Sequence, residues 1–322
     1  MTGIFAKKVE FLLMLCVIAT LWISGCIGPT DGMGGGPGLV VEKFEIPPPT
    51  TIDSGEQIGL HLEVRNQGGY NGELGTGAPA IVELMQIDPM EWAVTPSTVI
   101  DLGNILAPIP ETGTQGELAK ADWQLIAPLL ERGQTQNFRI DARVYYAYET
   151  KARKPVQFVT SDELRRMIQT GESLVSDPAI LTAGPLTVMV DAGLLVKAKD
   201  WTNARFPLQI RISNAGGGRI AGKDYPVAIE VTYPQWVMPV EGYCPAQSLL
   251  GAPIYNDVPP GLPQPIGNFI YMWDGMSTDV TCEFEIIQPP ASKTKGNFEV
   301  ILKYIYSIDT TTQVTVRGIE QF

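Results

Sequence analysis

Leu60, Leu62, Val64, Asn66, Gly68 and Gly69 recur as Leu208, Ile210, Ile212, Asn214, Gly216 and Gly217, at a constant offset of 148 (208 less 60). A chain that writes the same segment twice folds as two copies of one unit, so the repeat is identified before any single element. Further matches keep the same order. Trp123, Leu125 and Pro128 answer to Phe284, Ile286 and Pro289 at an offset of 161 (284 less 123). Val144, Tyr146 and Tyr148 answer to Leu302, Tyr304 and Tyr306 at 158 (302 less 144), as do Val156 and Phe158 to Val314 and Val316. The growth of the offset from 148 to 161 predicts an insertion of about 13 residues in the second copy.

Within each matched segment apolar residues alternate with polar ones. Gln57, His61, Glu63 and Arg65 fall between the apolar positions of the first copy, and Gln209, Arg211 and Ser213 between those of the second. Period 2 is the spacing of a strand, and an antiparallel sheet with one wet face produces it, whereas a parallel sheet buried on both faces does not. With 33 Gly and 26 Pro the chain is rich in turns, and 44% hydrophobic residues suffice for real cores. The predicted class is all-β. Each copy has the size of an immunoglobulin-like sandwich, giving two tandem antiparallel β-sandwiches after an N-terminal signal or anchor helix. The expected boundaries are 39–160 for the first sandwich and 185–322 for the second. Tyr146, Tyr148, Tyr304 and Tyr306 should form a buried aromatic stripe with hydroxyls reaching its rim.

Residues 161–184 break the strand rhythm and read as a short helix and connector. Ser161-Asp162-Glu163-Leu164 opens SDELRRMIQTG, in which Ser161 can cap, Leu164, Met167 and Ile168 share a face, and Gly171 can terminate the helix.

Residues 1–26 carry an address. Lys7 and Lys8 precede the apolar run Phe11 to Ile23, followed by Ser24, Gly25 and Cys26, the order of a secretory signal. Ile23-Ser24-Gly25-Cys26 resembles a lipobox, which implies lipidation of Cys26; an uncleaved anchor and plain cleavage remain alternatives. Each places the residues beyond 27 outside the cytoplasm, on the outer face of the cell membrane where the chain stays anchored, because the lysines stay inside. Residues 27–38, IGPTDGMGGGPG, read as a flexible tether with a reach of roughly 20 Å. Removing Lys7, Lys8 and Glu10 from 23 basic and 35 acidic residues leaves 21 against 34, a net charge of −13. Such a body has no basic face for nucleic acid.

Candidate chemistry is sparse. His61 is the one histidine, which excludes a two-histidine zinc site, and on its alternating strand it should lie on the polar face. The glycine clusters at 68–69 and 216–218 lack the Lys-Ser/Thr and helix start of a phosphate cradle and read as hairpin turns. Glu283 and Glu285 share a strand face without a calcium-binding loop around them. No catalytic residue, metal site or cofactor is expected, and a hydrolase built on paired carboxylates has no acid/base spacing to name.

Cys244 and Cys282 remain once Cys16 and Cys26 are assigned to the leader, and an even pair in an exported domain is expected as a disulfide. Cys244 lies in the insertion, a loop over 234–265 holding eight prolines. Its aromatics Trp236, Tyr243 and Tyr255, with Trp273 near its exit, are the candidate contact surface; a passive cap over the sandwich is the competing reading. None of the nine asparagines lies in Asn-x-Ser/Thr, so sheet surfaces are free of N-linked glycan.

The succession of strand, Asn, Gly-Gly turn and late Tyr-x-Tyr strand resembles the tandem immunoglobulin-like or CARDB-like ectodomains of exported cell-surface proteins, including many archaeal lipoproteins. The resemblance covers residues 39–320 and implies adhesion, envelope organisation or filament assembly, with other surface proteins or an envelope polymer as partners. The alternative is an accessory lipoprotein that binds a ligand such as carbohydrate through its loop aromatics.

Overall fold

The computed structural model describes residues 36–72, 75–88, 91–198, 204–242, 244, 253–288 and 292–319. The expected signal or anchor helix and Cys26 lie outside them. From Gly34 onward the chain is a single compact unit.

The chain is mostly strand, in antiparallel sheets that stack as sandwiches. In the first copy β1 (Leu39–Glu45), β3 (Gln57–Asn66), β7 (Leu118–Ile126) and β5 (Ala93–Thr95) form a four-stranded sheet in the order β1-β3-β7-β5. In the second, β10 (Leu186–Asp191), β12 (Ala204–Asn214), β17 (Ser277–Ile286) and β15 (Val237–Pro239) form its counterpart, β10-β12-β17-β15. The remaining strands join one larger sheet. Its main path takes β4 (Ala78–Met85), β6 (Val99–Ile105) and β8 (Thr135–Thr160) from the first copy and β14 (Pro226–Thr232), β16 (Asn268–Tyr271) and β18 (Lys293–Arg317) from the second, in the order β16-β14-β18-β8-β4-β6. The short β13 (Arg219–Ile220) pairs with β18 beside it. The matched apolar and aromatic positions on β3, β7, β8, β12, β17 and β18 are all at most 3% exposed. The insertion falls where β15 leads into β16, a stretch that three residues span in the first copy between β5 and β6.

Two separate sandwiches do not form. β8 and β18, 26 and 25 residues long, pair antiparallel from Thr135↔Arg317 to Val159↔Lys293. At about 3.3 Å per residue that ladder is roughly 80 Å long. Because repeat-equivalent residues on these strands differ by 158, the antiparallel register puts the pseudo-two-fold axis at the Ala147↔Ile305 pair. Each long strand then serves both copies. β8 pairs with β4 of its own copy through residues 141–146, and its far end pairs in parallel with β11 (Val196–Ala198) of the other. β18 does the same in reverse, pairing with β14 through residues 299–303 and with β2 (Thr51–Asp53) of the first copy through residues 315–317. Phe158 thereby packs against Phe206, Trp236 and Phe298, all second-copy residues, at ring separations of 5.5–6.5 Å. The expected end of the first sandwich at residue 160 therefore does not coincide with the end of its core: a period-2 pattern shows which face of a strand is buried and carries no information on whose core it enters.

Around the axis the four tyrosines meet as expected. Tyr146 faces Tyr306 and Tyr148 faces Tyr304 across the ladder, with ring centroids 5.7 and 6.0 Å apart. Each hydroxyl is satisfied, and Tyr148 and Tyr306 accept from equivalent turn amides while donating to different partners. Tyr148 donates to the Ala183 carbonyl at 2.7 Å and accepts from the Tyr70 amide; Tyr306 donates to Asn214 Oδ1 at 2.7 Å and accepts from the Gly218 amide. Tyr304 bonds Thr150 Oγ1 at 2.7 Å. The backbones of Leu39 and Leu186, which open β1 and β10, hold Tyr146 and Tyr304 respectively.

The repeated asparagines organise the turns beside them. Asn66, fully buried, accepts from the Gly68 amide and donates to the Ile105 carbonyl at 2.8 Å. Asn214 accepts from the Gly216 amide and donates to the carbonyls of Gly218 and Gly275. The glycine two residues on is required by the tyrosine: a Cβ on Gly68 would stand 1.9 Å from the Tyr148 hydroxyl, and one on Gly216 2.5 Å from that of Tyr306.

The predicted helix is present as α1 (Ser161–Thr170) and ends at Gly171 with φ 68°. Two details differ. The cap is Thr160, whose Oγ1 accepts from the Glu163 amide, because β8 runs right up to the helix and hands its last side chain to it. Met167 alone is buried; Ile168 is exposed, since the helix touches the body along one narrow line at the end of β8. The connector is not free either. β9 (Ile180–Leu181) pairs with β8, and Lys154 donates to Ser176 Oγ at 2.8 Å and to the Asp177 carbonyl.

The strand exchange and the buried tyrosines each generate a prediction. Residues 36–184 expressed alone should lack a cooperative melt as a monomer, and mixing with residues 185–322 should restore one transition. A monomeric 36–184 fragment that melts cooperatively would overturn the exchange. Burial pushes Tyr146 and Tyr304 far above the ordinary tyrosine value and Tyr148 up to about 12, so above pH 10 the folded state holds protons that the unfolded chain releases. Stability is then intact below pH 10 and falls as pH rises toward 12, by on the order of 2 kcal/mol at pH 12 for Tyr148 alone. Denaturant midpoints measured from pH 8 to 12 should show this fall, and Tyr148→Phe should lessen it by the Tyr148 share while Tyr146 and Tyr304 keep the rest.

Candidate functional site

The insertion closes over the outer face of the large sheet. Tyr255 and Leu262 from the loop meet Ile81, Tyr145, Ala221 and Ile305 in a small second core directly above the pseudo-two-fold axis. The Lys223 amide donates to the Ile254 carbonyl at 2.8 Å and the Gly222 amide to Asp257 Oδ2 at 3.2 Å, fixing the loop at its root. Cys244 and Cys282 form the expected disulfide across a separation of 38 residues, tying the loop to β17. Closing a loop of that length stabilises the fold by roughly 4 kcal/mol in the chain-entropy description.

The aromatics expected to form one contact surface are dispersed. Tyr255 is 7% exposed, and burial raises its hydroxyl pKa above the ordinary value. Trp236 packs edge-on to Phe158 at the far end of β8, half-buried. Tyr243 lies outside the described residues. Of the three that are described, Trp273 alone stands in solvent, 79% exposed. The loop segment 253–267 thus behaves as the cap that competed with the contact reading. Apolar side chains beside a bare sheet face are drawn onto it, and sequence alone does not show that Ile81, Tyr145 and Ile305 leave such a face open.

Trp273 sits on the tight turn between β16 and β17, a small hairpin closed by the Trp273↔Ser277 bridge. Asp274 and Gly275 have φ of 48° and 67°, positive at both central positions as in a type I′ turn. Met276, 59% exposed, stands beside it. The turn is held from behind by Asn214, whose amide donates to the Met276 carbonyl at 2.7 Å while its side chain donates to the Gly275 carbonyl.

Elsewhere the surface is occupied by its own charges. His61 lies directly opposite Asp122 on β7 and bonds it through Nδ1, half-exposed on the polar face as expected. Lys120 reaches Glu63 at 2.7 Å and Arg65 reaches Glu42 at 2.5 Å on the same face. Glu285 pairs with Arg205 at 3.5 Å, and among the described residues no group of three His, Cys, Asp or Glu side chains is placed to hold a metal ion. A groove of about 680 Å³ runs between the insertion and the first copy, walled by Tyr70, Pro79 and Asn104 on one side and Pro263, Gln264 and Lys303 on the other. Sequence reasoning missed this groove, because it exists only where the second copy's loop comes to lie beside the first copy's turn.

No protein family and no curated protein matches the chain. Among solved structures it aligns with trypsin-activated alpha-2-macroglobulin from Escherichia coli at 10% identity and a TM-score of 0.20, over 87% of this chain and 18% of that one. A second alignment, to a crystal structure with a xylogluco-oligosaccharide, has 10% identity and a TM-score of 0.12 over 85% of this chain and 58% of the other. The chain spans about a fifth of the macroglobulin it matches, and at these TM-scores neither alignment carries an argument about fold or function.

Proposed function

We propose that the chain is a membrane-anchored protein of the outer cell surface that binds or scaffolds other envelope components, through two immunoglobulin-like copies fused across a shared sheet. The observation that carries this reading is the sequence Ile23-Ser24-Gly25-Cys26 behind an apolar run and two lysines. The Cys244–Cys282 disulfide supports an oxidising compartment, where such bonds persist. The acidic balance of the exported part keeps it off an anionic membrane and in solution beside it. Partners are other surface proteins or an envelope polymer.

Expression of the full chain with its own leader tests this. The wild type should fractionate with membranes, carry acyl chains on an N-terminal Cys26, and show no free thiol at Cys244 or Cys282. Cys26→Ala should lose the acyl mass. Recovery of the wild type from the cytosol with both thiols free would end the proposal.

A further inference from the structure

Gly36, where the described chain begins, donates its amide to the Gly184 carbonyl at 3.0 Å, and Gly38 lies against Pro185. The Pro185 carbonyl accepts from the amides of Ala215 and Gly216 at 2.8 and 3.0 Å. Asn214, one residue earlier, is the residue that holds Gly275 and Met276 from behind. Trp273, the most exposed tryptophan among the described residues, therefore stands a few contacts away from the point where the anchored end joins the body. Nine residues, 27–35, lie between Cys26 and Gly36.

A tryptophan flanked by an exposed methionine on a rigid turn is poorly suited to water. Its indole, apolar with one N–H donor, is suited to the headgroup level of a bilayer, where tryptophan is enriched. We propose that the Trp273–Met276 hairpin is a second membrane contact, seated in a zwitterionic phospholipid surface beside the N-terminal anchor; this rests on the anchored reading of the chain. The partner is a zwitterionic surface and not an anionic one, because Asp274 occupies the tip of the same turn in a strongly acidic body. A second attachment point would fix the orientation of the body at the membrane.

The test uses the full chain in phosphatidylcholine vesicles, made with ordinary or with brominated lipid, which quenches indole emission on contact. Flotation of the vesicles reports the anchor independently. Brominated lipid should quench the wild type more than Trp273→Phe, with the difference shrinking as anionic phosphatidylglycerol is added. The ring of Trp273 is in solvent, so the variant should keep the wild-type melting temperature. Equal quenching of the two chains in floating vesicles would overturn the hairpin contact while leaving the anchor standing. Failure to float would remove both. Trp273 emission that is blue-shifted without lipid quenching would assign the hairpin to a contact between copies of this chain and overturn the proposal as well.

Discussion

Everything in this fold is organised around the antiparallel pairing of β8 with β18. The two strands are copies of each other, so one ladder can be self-complementary only about a two-fold axis, and the Ala147↔Ile305 pair supplies it. Once that axis is fixed, each strand is long enough to leave its own sandwich and enter the other. The exchange makes the large sheet continuous and gives both sandwiches a shared wall. It also explains why one contiguous apolar core runs through both copies, from Leu60 and Trp123 to Phe206 and Phe284.

Four tyrosines at the axis are a demanding choice of core residue. A buried hydroxyl without a partner costs roughly 1–3 kcal/mol, so each must be answered. For Tyr148 and Tyr306 the repeat does so through geometry that is itself repeated: the asparagine turn that closes β3 or β12 presents an amide four residues beyond the asparagine to the tyrosine hydroxyl. Asn66, Gly68 and Tyr148 in one copy, and Asn214, Gly216 and Tyr306 in the other, form a single device in which each member is needed for the next. That coupling is the physical reason why these residues, and few others, are identical between the copies.

The copies, their strands and the buried faces were legible in the alternation of apolar residues, because burial on one side of a pleated strand leaves a period of 2 in the sequence. α1 was legible for equally local reasons, and the disulfide from the even pair of cysteines left outside the leader. The exchange was not, since Val156 and Phe158 read the same whichever core they enter. Nor was the fate of the loop aromatics. Tyr255 and Trp273 are both aromatic residues near prolines and glycines, and only the open face formed by Ile81, Tyr145 and Ile305 decides that the first is buried and the second exposed.

The partner of β8 is the last strand of the chain, about 150 residues downstream. During synthesis the first copy therefore emerges with half of its longest ladder unpaired and waits for β18 before its wall can close. Assembly is governed by the slowest kind of event in folding, the meeting of segments far apart in the chain. Until β18 arrives, β8 presents a long open edge of the kind that recruits foreign strands, so prompt pairing of the two guards the chain against aggregation.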